Sequence, residues 1–155
     1  MASNQPGPES RPWPTITLEA LASVAAVYGG VGLAWHNVLG MPDSWLEHSP
    51  FSSWLVPGLL LLLVVALPMG VAAALELRRS PWAPAASIVA GAAQIGWIAA
   101  QLLVLQKYDV LQPVMLGIGL LVLLLGVWGQ RARPLLPGGV GSASIARRES
   151  AHTRL

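Results

Sequence analysis

From Ser49 to Leu75 the chain runs for 27 residues without an ionisable side chain. At about 1.5 Å of rise per residue, a helix over this stretch is more than long enough to cross about 30 Å of hydrocarbon. The segment is therefore expected to span a membrane, and three others share its character. Charged residues make up 10% of the chain and apolar residues 54%, against roughly 25% charged in soluble domains. The absence of cysteine excludes disulfides, thiol nucleophiles and thiolate metal ligands.

The four expected spans lie at about 17–39, 50–77, 81–105 and 110–128, within one domain of 17–128. They predict an all-α polytopic membrane protein, a four-transmembrane-helix antiparallel bundle. Residues 1–16 are polar and proline-rich and are expected to form a flexible lead-in. They do not resemble a signal peptide, because the first apolar run starts late and leads directly into Trp35, His36 and Asn37. Residues 129–155, rich in arginine, glycine, proline and serine, are expected to be a disordered basic tail.

Local signals suggest where the spans begin. Thr17 is a candidate N-cap with Glu19 near the positive end of the helix dipole. Ser49-Pro50 and Ser80-Pro81 each read as a cap followed by proline at the first helical position. Asp109 and Gln112 form a candidate capping pair for the last span. Pro57 and Pro68 each remove a backbone donor inside the second span, which predicts a kink near one or both.

Of the nine lysines and arginines, Arg11, Arg78, Arg79, Arg131, Arg133, Arg147, Arg148 and Arg154 fall on one side of a four-span chain and Lys107 on the other. Because basic residues accumulate on the cytoplasmic side, both termini are expected to be cytoplasmic, in a cell (inner) membrane. Trp13, Trp82 and Trp128 fall at the expected inner boundary and Trp35, Trp45 and Trp54 at the outer one, which suits an aromatic belt at each surface. Trp97 lies at depth.

Gly29 and Gly30 in the first span, and Ala92, Gly96 and Ala100 at four-residue spacing in the third, are candidate helix-packing positions where backbones approach closely. Ser87, Gln94 and Gln101 are seven residues apart and share one stripe of the third span, with Trp97 beside it. With His36 and Asn37 at the outer end of the first span, Gln94, Trp97 and Gln101 could form a polar pocket for a lipid headgroup or small amphiphile. The plainer reading is interhelical hydrogen bonding that sets helix register, and it is the one expected.

His36, Asp43, Glu47 and His48 are the ligand types zinc uses, but their spacing matches no known signature, so a metal site is only an alternative. No nucleophile elbow surrounds Ser44, Ser49, Ser52 or Ser53. Glu76 stands just before Arg78 and Arg79 and is expected to pair with arginine at the boundary rather than serve a proton relay. No catalytic residue and no cofactor are indicated, and the partners expected are the lipid bilayer and a second copy or a membrane complex, not nucleic acid.

From Ser49 to Trp128 the chain resembles a group of uncharacterised small bacterial proteins with four membrane helices. The resemblance rests on Ser49-Pro50-Phe51, Pro57-Gly58-Leu59, Arg78-Arg79, Gly96-Trp97-Ile98 with Gln101, and Leu111-Gln112-Pro113. It implies four spans and carries over no activity, cofactor or catalytic residue. Leu67-Pro68-Met69 departs from the glycine or asparagine expected there. Usage rich in alanine, glycine and arginine with a single lysine suggests a GC-rich bacterium such as an actinobacterium.

Three roles follow, in order: a non-enzymatic accessory or structural membrane protein that associates through the Ala92, Gly96, Ala100 face; a lipid or small-molecule binder; and an outer-face enzyme using His36 and His48.

Overall fold

The computed structural model describes residues 12–47, 49–106 and 108–132. Four long helices account for most of them, and no strand is present among the described residues. Helix α1 is Trp13–Ala34, α2 is Leu55–Leu77, α3 is Ala83–Leu105 and α4 is Leu111–Ala132, and each is long and apolar enough to cross a membrane. The chain is thus an all-α bundle of membrane-spanning length. Arg11, His48, Lys107 and the tail from Arg133 onward lie outside the described residues.

Several expected boundaries are corrected. Helix α1 starts at Trp13 after Pro12, four residues before Thr17, because Pro14 falls in the first turn, where a missing N–H costs nothing. Thr17 is therefore an exposed residue inside the helix, and Glu19 lies beyond the first turn. The helix stops at Ala34, and His36 and Asn37 follow with left-handed φ of 53° and 50°.

Ser49 does not cap α2. Its hydroxyl donates to the Leu46 carbonyl at 2.9 Å and accepts from the Phe51 N–H at 3.2 Å, closing a turn ahead of a helix that begins at Leu55. Ser80 accepts the Trp82 N–H in the same way, at 3.3 Å, before α3 begins at Ala83. At α4 the expected pair forms: the Asp109 N–H reaches Gln112 Oε1 at 3.2 Å and the Leu111 N–H reaches Asp109 Oδ1 at 2.8 Å. That helix continues past Trp128 through Gly129 and Gln130 to Ala132.

The two prolines of α2 behave differently. Pro57 sits in the first turn and disturbs nothing. Pro68 follows a widened π turn, Leu62–Ala66, which relieves the clash its ring would make with the preceding turn. The Ser23 hydroxyl of α1 donates to the Ala66 carbonyl at 2.9 Å, so a neighbouring helix supports the backbone where α2 changes pitch.

The helices form two hairpins, α1 with α2 and α3 with α4. In the first, Gly30 and Gly58 meet: a Cβ on Gly58 would lie 2.6 Å from the Gly30 carbonyl oxygen and 2.7 Å from the Ala34 nitrogen. In the second, a Cβ on Gly91 would lie 2.6 Å from the Leu123 nitrogen and 2.7 Å from the Gly119 oxygen. At both crossings backbone rests on backbone. Around Gly96, by contrast, there is open space, and Ala92, Gly96 and Ala100 are exposed, so the packing face of α3 within this chain is one residue away from the stripe picked out by spacing.

The hairpins join at one end only. The Leu67–Leu77 half of α2 packs along α3, whereas Leu55–Leu61 lies mainly against α1. Met69, Ala72, Ala90 and Val122 are fully buried in the shared core. This closed end carries the first turn of α1, the short α2–α3 connection and the end of α4; we call it the terminal end, and the opposite one the long-loop end. Trp13, Trp82 and Trp128 are all exposed at the terminal end.

Candidate functional site: a wedge between two hairpins

Because α2 turns away from α3 beyond its π turn, the hairpins part toward the long-loop end and enclose a cavity of about 310 Å³. All four helices line it, and its walls are largely apolar. Gln94 lies deepest on α3, at the midpoint of the helix, and Gln101 is two turns, about 10 Å, nearer the loops. Trp97 and Ile98 stand between them, with Leu61 and Val65 of α2 and Ala22 and Ala26 of α1 across the gap. The mouth is framed by Met41, Trp45, Phe51 and Trp54 on one side and by Leu111 and Gln112 on the other.

Local hydrogen bonds shape the loop beside the mouth. Asn37 clamps the start of the loop, donating from Nδ2 to the Met41 carbonyl at 2.7 Å and accepting the Met41 N–H at Oδ1 at 3.0 Å. Trp54 is buried, and its Nε1–H donates to Asp43 Oδ1 at 3.1 Å. Trp54 thus stands at the long-loop end as a wall of the wedge, held by an aspartate eleven residues earlier. Trp35 is exposed and makes an edge contact with the His36 ring at a centroid separation of 6.4 Å.

Gln94 is 3% exposed. Its Nε2 donates to the Met115 carbonyl of α4 at 3.4 Å, and its Oε1 is buried without a partner. Gly119 makes room for this side chain, since a Cβ there would come within 2.8 Å of Gln94 Cγ. Sequence spacing singled out Gln94, Trp97 and Gln101 as one stripe, and all three line the cavity. His36 and Asn37 do not line it: the first is exposed beyond the helix end, and the second holds the loop.

The alternative metal ligands are not brought together among the described residues. Asp43 is engaged by Trp54, Glu47 is exposed, and His48 lies outside the described residues. No cluster of three His, Cys, Asp or Glu side chains is found among those described.

Sequence reasoning missed a second polar site at the terminal end. Glu19 is 0% exposed, Glu76 6% and Ser87 0%. Glu76, expected at a wet boundary, is buried, because the last turn of α2 packs inside the bundle. The available signal was that Glu19 is the single acidic residue in a run that otherwise reads as a span.

Comparison of the chain with protein-family models, with curated proteins and with solved structures found no match in any of the three.

Proposed function

We propose that the chain is a multi-pass protein of a bacterial inner membrane, with both termini cytoplasmic, that holds a lipid or other small apolar molecule in the wedge between its hairpins. The observation that carries this reading is the cavity itself. A volume of about 310 Å³ lies at the lower end of the range for small-molecule sites, which are mostly apolar with a few placed polar groups. Gln94 and Gln101 are the polar residues of the α3 wall, at two depths and with Trp97 between them. An apolar chain would lie along the wall with its polar end toward the mouth.

A second reading, an accessory subunit of a larger assembly, draws on the exposed Ala92 and Gly96 of α3, continued by Ala100 at the edge of the wedge, a surface on which another helix could approach closely. It was the leading expectation from sequence; the wedge moves binding ahead of it.

Native mass spectrometry before and after delipidation tests the binding role. A stoichiometric apolar ligand should be retained through mild extraction, and Gln101→Leu should weaken that retention while changing stability by less than about 0.5 kcal/mol. Protein that is ligand-free from the first mild extraction would exclude binding and favour the accessory role. Since the chain has no cysteine, orientation can be read with single cysteines at Ser44 and Ser80. They should be labelled from opposite sides of the membrane, the second from the cytoplasm.

A further inference from the structure

Glu19 is fully buried in α1, about 9 Å from the start of that helix, and neither of its carboxylate oxygens has a hydrogen-bond partner. Two other oxygen-bearing groups stand beside it on different helices, the Glu76 carboxyl of α2 and the Ser87 hydroxyl of α3. The Ser87 hydroxyl donates to the Ala83 carbonyl at 3.2 Å, so it offers Glu19 a lone pair. A hydroxyl has one proton, and rotating it would satisfy only one of the two Glu19 oxygens.

Among the described residues the spanning helices bring no buried positive charge to Glu19, and Arg78 and Arg79, which follow Glu76, are exposed. Helix α3 contains no ionisable residue, and that of α4 is Arg131, exposed in the last turn. Glu76 is the ionisable residue of α2, and besides Glu19 α1 carries Tyr28, which is exposed.

Buried carboxylates are stable only when positive charge or hydrogen-bond donors meet them. Here two carboxyl groups and a hydroxyl from three helices lie near one another, and the single hydroxyl proton within reach cannot satisfy both Glu19 oxygens. Oxygen-only surroundings select hard cations over soft ones. Ala72 and Ala83, one turn from Glu76 and Ser87, are fully buried, so closely packed helices surround the group.

We propose that Glu19, with Glu76 and Ser87, is an intramembrane site for a small monovalent cation, a proton or Na⁺, at the terminal end of the bundle. It stands apart from the wedge and does not depend on the role given to it. Because the three oxygen groups belong to three helices, occupancy ties α1, α2 and α3 together at this end.

The test uses the full-length protein in detergent, with Na⁺ replaced by choline at constant pH and ionic strength. If the ion is Na⁺, the unfolding midpoint rises with Na⁺ but not with choline, and Glu19→Gln abolishes the dependence. If it is a proton, wild-type infrared spectra contain a protonated-carboxyl carbonyl band that Glu19→Gln removes, whatever the Na⁺ concentration. Should Glu19→Gln fail to fold, Ser87→Ala keeps both carboxyls and gives the same readouts. It should raise the half-saturating Na⁺ concentration about tenfold, or shift the frequency of the acid band. A wild type with neither Na⁺-specific stabilisation nor a protonated-carboxyl band, or with both signals unchanged in Glu19→Gln, overturns the proposal.

Discussion

The two ends of this bundle are built from the same four helices and come out opposite. At the terminal end, Met69, Ala72, Ala83 and Ser87 are fully buried and three helices close around two carboxyl groups. At the long-loop end, the hairpins stand apart around a space lined by Gln94, Trp97 and Gln101. Both hairpins are held by glycine crossings, Gly30 on Gly58 and Gly91 beside Gly119, so tightness within a hairpin is not what distinguishes the ends. The difference lies between hairpins, and it turns on the π turn at Leu62–Ala66 that separates the part of α2 packed along α3 from the part that leaves it. One irregular turn in one helix thus gives a four-helix bundle a closed end and an open one.

The largest test of this contrast is at the closed end. Met69→Ala should destabilise the protein by about 2–5 kcal/mol, as expected where a fully buried side chain leaves a cavity. A loss under about 1 kcal/mol would mean that the terminal end is not closed. Next comes a matched pair of enlargements. Ala72→Leu should cost about 1–3 kcal/mol through overpacking, while Ala25→Leu, on the wedge wall and exposed, should change stability by about 0.5 kcal/mol or less and reduce retention of an apolar ligand. Equal costs would erase the distinction between the ends. A smaller effect belongs to the hinge between them: Ser23→Ala removes the hydrogen bond to Ala66 and should cost about 0.6–1.7 kcal/mol. All three follow from unfolding midpoints of detergent-solubilised protein.

How much of this was legible in the sequence depends on the kind of signal. The number of spans was legible because uncharged runs of membrane length are a one-dimensional property. The start of α1 was not, because Thr17 has a cap's chemistry while the nearby Pro14 fits equally well in a first turn, and only the surrounding structure decides between them. Ser49 and Ser80 looked like caps for the same reason, yet their hydroxyls accept the N–H two residues on and close turns.

Spacing placed Gln94, Trp97 and Gln101 on one stripe of α3 but could not say that the stripe would look into a gap, since that depends on how α2 leans. The same limit explains Ala92, Gly96 and Ala100: four-residue spacing marks a smooth face without naming its neighbour, and within the chain Gly91 makes the approach. Glu19 was read as a charge near a helix end because its burial is created by α2 and α3, far along the chain.

Photo-crosslinking with a diazirine-bearing apolar amphiphile, mapped by mass spectrometry, tests the open and closed ends together. The account predicts saturable adducts, competed by unlabelled amphiphile, on wedge residues such as Leu61, Trp97 and Gln101, and none on Met69 or Ala72. Adducts that rise linearly with probe and fall only on exposed residues such as Leu63 and Leu103, with no saturable fraction in the wedge, would contradict it.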